Sequence, residues 1–259
     1  MGLRSHVFLY VTMIKIINLV KSFRGHKVLD GINLEIPTGQ ITVVIGKSGV
    51  GKSVLLKHII GLLKPDSGQI LVDDRDIALL KGNSLREFKL RLAVLFQGGA
   101  LFDSLSVFEN IAFPLREKTR LSEDEIATRV RERLVQMNLA SEVEAKFPDE
   151  LSGGMKKRVA LARAMIQEPE IMFFDEPVTG LDPPMTNTVF HLISKTHQDS
   201  GYTALMVSHD IPEVFHVAHQ VAMLHKGRII AAGTPEEIQS HPDPMVQSFI
   251  HGEVDFLED

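Results

Sequence analysis

The sequence predicts an α/β fold with a mostly parallel core sheet, an antiparallel β subdomain on its N-terminal side and a helical subdomain inserted in its middle. Three observations carry this reading. Residues 41–45 form a continuous β-branched run of strand length, as expected of a strand buried on both faces, and lead through a glycine-rich loop into a helical pattern at 54–63. Strand-like runs return at 171–174 and 204–207 with a helix-like stretch at 186–197 between them, the alternation of a parallel sheet. Between them, residues 98–167 change character: apolar and charged residues recur at helical spacing, most clearly over 123–137.

The remaining elements follow in order. Short β runs at 14–19 and 32–36, the latter closed by Pro37 and Gly39, read as an antiparallel edge. Pro65, Asp66 and Gly68 mark a turn before a strand at 69–72. A final hairpin is expected from 221–224, a turn at Lys226 and Gly227, and 228–232, followed by a polar segment containing Pro235, Pro242 and Pro244. The expected organisation is an N-terminal extension at 1–12 lying outside the fold, with Met13 as an alternative start, one domain over 13–240, and a C-terminal tail at 241–259. No internal repeat or low-complexity tract interrupts it.

Composition narrows the function. A chain of 259 residues buries a substantial core without staples, and with no cysteine it has neither disulfides, thiolate metal sites nor a cysteine nucleophile. A cysteine-free chain fits a reducing compartment, with the cytoplasm as the default. A formal net charge of -5 argues against wrapping nucleic acid over the whole surface. The apolar run at 7–17 is broken by Thr12 and Lys15 and falls short of the roughly 20 residues a spanning helix needs. No small-residue cleavage site follows it before the charged stretch at 21–27, so the run fits a signal peptide poorly as well. Association with a membrane is therefore expected through a partner.

Gly46-Lys47-Ser48-Gly49-Val50-Gly51-Lys52-Ser53 satisfies the G-x-x-x-x-G-K-[ST] pattern between an expected buried strand and an expected helix. Glycines let the backbone curl so that successive N–H groups and the helix N-terminus face one anion. Lys52 adds a full charge near β- and γ-phosphates, and Ser53 supplies a hydroxyl of the kind Mg²⁺ takes. The run 171–174 ends in Asp175 and Glu176. At the carboxyl edge of the sheet Asp175 is placed to hold Mg²⁺ through water, and Glu176 to position the attacking water.

A second glycine turn, Leu151-Ser152-Gly153-Gly154-Met155, opens the helix-like segment 156–166. Alone it reads as a capped helix start. Together with the phosphate loop, Gln97, Asp175-Glu176, Gly180-Leu181-Asp182 and His209, in that order and at that approximate spacing, it resembles the ABC (ATP-binding cassette) ATPases over about residues 14–233. The resemblance implies a P-loop NTPase fold and a dimer sharing two ATP molecules. Ser152, Gly153 and Gly154 would face the γ-phosphate held by the other chain, with Asp182 at the seam. Gln97 would touch Mg²⁺ and the water, His209 the γ-phosphate, and Phe23 would stack on adenine. Without the resemblance, His209 is an ordinary surface or core histidine and Phe23 an ordinary core residue.

Residues 98–117 (Gly-Gly-Ala-Leu-Phe-Asp-Ser-Leu followed by Ser-Val-Phe-Glu-Asn-Ile-Ala-Phe-Pro-Leu-Arg-Glu), with Met155 where most of the family carries Gln, are similar to one subgroup: the ATPases of lipid transporters that work with MCE-domain proteins, such as the maintenance-of-lipid-asymmetry (Mla) system. This implies phospholipid movement between the two membranes of a diderm bacterium. The implied partners are a second copy, a permease dimer, an MCE-domain protein and, optionally, a STAS-domain subunit, with no nucleic acid, and the implied location is peripheral on the cytoplasmic face of the inner membrane. Leu101, Phe102, Leu105, Val107 and Phe108 would line the groove that receives the membrane subunit; the alternative is that they pack the helical subdomain. Three rival readings stand beside this: the same motor on a polar amino-acid importer, a soluble ABC protein acting on ribosomes or DNA, and a P-loop kinase. The last leaves residues 151–154 and His209 without a purpose.

Overall fold

The computed structural model describes residues 14–252. The chain opens with two long antiparallel strands, β1 (Ile14–Phe23) and β2 (His26–Ile36), then enters the central sheet with β3 (Ile41–Ile45). After the phosphate loop come α1 (Lys52–Ile59), β4 (Ser67–Val72), β5 (Arg75–Asp76), α2 (Gly82–Leu90) and β6 (Leu92–Leu95). The helical region holds α3 (Val107–Lys118), α4 (Glu123–Gln136) and α5 (Gly153–Met165). The sheet resumes with β7 (Ile171–Asp175), α6 (Pro183–Ser200) and β8 (Thr203–Ser208), and closes with the hairpin β9 (Gln220–His225) and β10 (Arg228–Gly233). Two short helices follow, α7 (Pro235–Gln239) and α8 (Pro244–Ile250).

Two sheets result. The smaller has the order β2-β1-β4-β5 and is antiparallel throughout; the larger has the order β10-β9-β3-β8-β7-β6, parallel from β9 to β6 and antiparallel only at the β10 edge. Side-chain alternation along the parallel strands divides the interior into two cores. Ile41, Val43, Ile45, Met172, Phe174, Ala204 and Met206 face α3–α6, whereas Val44, Ile171, Phe173, Leu205 and Val207 face α1 and the antiparallel sheet. All five residues of β3 are buried, which explains why that run has no polar face.

The helix starts are built locally. Ser106 with Glu109 and Ser122 with Glu125 form reciprocal caps on α3 and α4, each Glu accepting from the N–H of its Ser while the Ser hydroxyl accepts from the N–H of that Glu. Three features lay beyond the sequence reading. β1 runs on to Phe23 through a bulge at Asn18, whose φ of 47° and hydrogen bonds to Asn33 carry the strand past its expected end at 19. α2 and β6 were not expected at all, β6 being a four-residue run too short for its period to declare a strand. Within the segment expected as a tail, α8 has Val246 fully buried in the larger core, with Phe249 and Ile250 packed against it. The expected extension at 1–12 lies outside the described residues. No helix among the described residues is long and apolar enough to cross a membrane.

Candidate nucleotide site

The carboxyl ends of β3, β8 and β7 lie level, with Ile45 beside Ser208 and Val207 beside Asp175. The three loops leaving them therefore converge, which is where parallel sheets place their ligands. The loop after β3 requires glycine at two points. Gly46 has φ +154°, and a Cβ there would collide with the carbonyl oxygen of Leu224; Gly51 has φ +110°, and a Cβ would lie 3.1 Å from the carbonyl oxygen of Val28. Gly51 is also the N-cap of α1 and supplies no side-chain acceptor, so the first N–H groups of that helix remain available to an anion.

Lys52 is 5% exposed and folds back over this loop, donating to the carbonyls of Gly46 (2.7 Å) and Lys47 (3.0 Å). Burial holds its pKa below the usual lysine value, against the opposing attraction of Glu176, Asp175 and Asp210. The Ser53 hydroxyl donates to Asp175 Oδ1 at 2.9 Å. Glu176, first residue beyond β7, adopts φ 48°, a left-handed conformation that costs a non-glycine residue about 1–3 kcal/mol, and its N–H is tied to the carbonyl of Val207 at 3.0 Å. This turn directs its carboxylate into the middle of the group. Oε1 lies 3.2 Å from His209 Nδ1 and 3.8 Å from Lys52 Nζ, while Oε2 accepts from Gln97 Nε2 (3.2 Å) and Thr179 Oγ1 (3.1 Å).

Lys52, Ser53, Gln97, Asp175, Glu176 and His209 are thus brought together, with Gly46 to Gly51 curled beside them. Ser152, Gly153, Gly154 and Asp182 form a separate group. Ser152 and Asp182 are exposed N-caps of α5 and α6, accepting from Met155 N (3.3 Å) and Met185 N (2.8 Å). The two helix starts interlock: a Cβ on Gly154 would lie 2.6 Å from Met185 Sδ, and one on Gly153 3.6 Å from Leu181. Among the described residues, no hydrogen bond or ion pair joins this group to Lys52, Ser53, Asp175 or Glu176. Phe23 stands apart at the end of β1, 41% exposed, with the Lys21 ammonium 5.5 Å from its ring centre.

Three residues at the site escaped the sequence reading. Thr179 holds Glu176; Asp210, after its bond to Ser208 (2.9 Å), acts on both Lys52 and Lys157; and Lys157, on α5, donates to the backbone carbonyl of Gln97. Only Lys157 carried a signal, as a cation on the otherwise apolar buried face of a helix. Chemically, one carboxylate, one hydroxyl and the amide oxygen of Gln97 suit a hard divalent cation that draws its remaining ligands from phosphate and water. Among the described residues there is no cluster of three or more His, Cys, Asp or Glu that could hold a metal by itself.

A phosphate loop at the edge of a parallel sheet, facing Asp175 and Glu176, defines a P-loop nucleotide-binding protein. The family model described as "ABC transporter" matches residues 29–179, and the chain belongs to that family. It is an ATPase. The intermembrane phospholipid transport system ATP-binding protein MlaF of Haemophilus influenzae is 42% identical over 233 residues, covering 90% of this chain and 88% of that one, and MlaF of Escherichia coli K12 is 40% identical, covering 90% and 86%. The probable ribonucleotide transport ATP-binding protein mkl of Mycobacterium leprae is 40% identical over 92% of this chain and 69% of its own length. Among solved structures, cbiO1 from Clostridium perfringens, part of the ABC transporter complex cbiONQ, superimposes with a TM-score of 0.80 at 31% identity, covering 92% of this chain and 95% of that one. The ATP-binding cassette MJ0796, in a dimeric post-hydrolysis state bound to ADP and Pi, does so with a TM-score of 0.78 at 29% identity, covering 86% and 98%.

Proposed function

We propose that this chain is the ATP-hydrolysing motor of a phospholipid transporter, acting as a homodimer on the cytoplasmic face of a bacterial inner membrane beneath a permease dimer and an MCE-domain protein, with a STAS-domain subunit as an optional fourth component. The observation that carries the cargo is the two-sided match to MlaF, 40–42% identity over nearly nine-tenths of both chains. The match to mkl covers less of that protein.

In this reading the N–H groups of Gly46 to Ser53 cradle the phosphates, and Lys52 exchanges the carbonyls of Gly46 and Lys47 for phosphate oxygens. Ser53 and Gln97, with Asp175 through water, would hold Mg²⁺. That ion, when bound, neutralises phosphate charge. Glu176 orients the attacking water, fixed for the task by Gln97, Thr179 and His209, and His209 also meets the γ-phosphate. Phe23 stacks on adenine; its exposed ring suits that role better than a core position does. Ser152, Gly153 and Gly154 of one copy close on the γ-phosphate of the other, with Asp182 at the seam. ATP then favours the closed dimer because it binds that state better than the open one, and hydrolysis releases it.

Glu176→Gln is expected to bind ATP, form a stable ATP-dependent dimer by size-exclusion chromatography, and lose hydrolysis by about a hundredfold or more. Hydrolysis at the parental rate would remove Glu176 from its role. For the cargo, the complex purified from membranes and placed in vesicles should move labelled phospholipid in an ATP-dependent manner. Recovery with an amino-acid or nucleotide permease and no MCE protein would overturn the lipid assignment.

A further inference from the structure

The loop leaving β6 is fastened to α5 along one face of that helix. Lys157 donates to the carbonyl of Gln97; Ala160 lies against Gly99, where an added Cβ would come within 3.2 Å of the alanine Cβ; and Arg163 donates to the carbonyl of Gly99 at 2.8 Å with its guanidinium 5.6 Å from the centre of the Phe102 ring. These residues are three apart, the spacing that puts side chains on one helical face. Asn110, wholly buried on α3, grips the far end of the same loop, accepting from Phe102 N and donating to the carbonyls of Phe102, Leu105 and Ser106. From Gln97 to Ser106 the loop therefore belongs mechanically to the helices. On the sheet side it continues from β6, with the Gly99 N–H on the Phe96 carbonyl at 2.8 Å, and reaches the site through the Gln97 amide on Glu176.

Packing alone gives no reason for a charge at position 157. Lys157 is 6% exposed and forms no ion pair among the described residues, and a buried ammonium costs more than an apolar side chain of similar length. What the ammonium supplies is a charge-assisted bond to one carbonyl, that of Gln97, in the field of Asp210, Glu176 and Asp175.

We propose that Lys157 is a positioning residue that locks Gln97 to α5, so that the Ser152 turn at the head of that helix and the Gln97 amide beside Glu176 move as one piece. This rests on the two-copy reading above. Under it, α5 presents its head to the other copy's ATP while Lys157 sets Gln97 at its own, so that one side chain links the two sites. Lys157 acts on the hydrolytic step and on cooperativity between sites, not on nucleotide affinity.

The test is steady-state ATPase of the full chain as Lys157→Met, which keeps length and loses donor and charge, and as Lys157→Arg, which keeps both. For K157M we expect kcat to fall about tenfold or more with KM within about twofold of the parent, and a Hill coefficient for ATP nearer 1 than the parent's. K157R is expected to restore most of kcat. Should K157M not fold, Arg163→Met carries the same expectation with a smaller drop. Parental kcat in K157M, a KM effect alone, absence of rescue by K157R, or a parent without cooperativity would each overturn the inference. A Glu176→Gln chain carrying K157M should still dimerise with ATP. Dimerisation of Glu176→Gln but not of the double variant would overturn the positioning role; failure of both would remove the two-copy reading beneath it.

Discussion

The two glycine turns of this protein, Gly46 to Ser53 and Ser152 to Gly154, both stand at helix starts, yet their surroundings differ. The first is enclosed by a buried ammonium, a hydroxyl–carboxylate pair and a glutamate held from several sides. The second is exposed at Ser152, capped only by its own serine, and packed from behind by Leu181 and Met185. A buried cation beside such N–H groups adds a charge-assisted bond, roughly twice as strong as a neutral one, to what the backbone of the turn supplies. Under the proposed function, the contrast means that the first turn would hold a phosphate by itself, whereas the second would contribute only to a phosphate whose charge is balanced elsewhere.

That difference is most strongly tested by removing the charge. Lys52→Ala should lower hydrolysis by at least about a hundredfold and weaken ATP binding, since no other group among those at the loop replaces a buried ammonium. Radioactive-phosphate release and equilibrium nucleotide binding measure both; ATP binding at parental affinity would break the comparison. Ser152→Arg is expected to act more selectively. A bulky cation at an exposed cap leaves the Lys52 side untouched, so nucleotide binding by the single chain should persist while dimerisation fails and hydrolysis drops by about ten- to a hundredfold. Mixing the Lys52→Ala and Ser152→Arg chains sharpens the point, because a mixed pair contains one site with an intact loop and an intact turn. Activity above that of either variant alone is expected; none would place the two turns in one chain's service.

Much of this arrangement was legible because it depends on local chemistry. The β-branched run of β3, the glycines around Lys52 and the paired carboxylates after β7 are contiguous signals, and contiguous signals survive in a sequence. The second turn was less so: only the resemblance to a family distinguished Ser152 to Gly154 from an ordinary cap. Asp210 and Lys157 were missed because each matters through a partner far along the chain, as Lys157 does through Gln97, sixty positions away; Thr179, only three residues from Glu176, was missed because nothing in the run itself shows that the turn after β7 folds its hydroxyl back onto that carboxylate. β6 was missed for a related reason, its identity as a strand coming from pairing with β7 rather than from its own four residues. α8 was read as polar tail because prolines punctuate the segment, yet Pro244 at the first helical position and the Asp243 cap start a helix that buries Val246.

The smallest expected effect lies at the opposite end of the same strands, and it separates the fold from the site. There His197 and His219 stand 4.9 Å apart between ring centres; His197 Nε2 donates to the carbonyl of Gly39 at 3.0 Å and His219 Nδ1 accepts from the N–H of Ile41 at 3.2 Å. Burial lowers the pKa of both, and mutual repulsion lowers that of His197 further. A histidine held below its ordinary value of about 6.5 binds fewer protons folded than unfolded, so its neutral form is fully compatible with the fold above that value and stability falls as the pH drops below it. The melting temperature should therefore decline from about pH 6.5 toward 5, and His197→Gln, which keeps a donor for Gly39 but cannot be charged, should flatten that decline. Because neither ring touches Glu176 or Lys52, the variant's ATPase at neutral pH should stay at the parental level; a loss there would mean that strain at this edge reaches the glycine turns, and the two ends of the sheet could no longer be treated as independent.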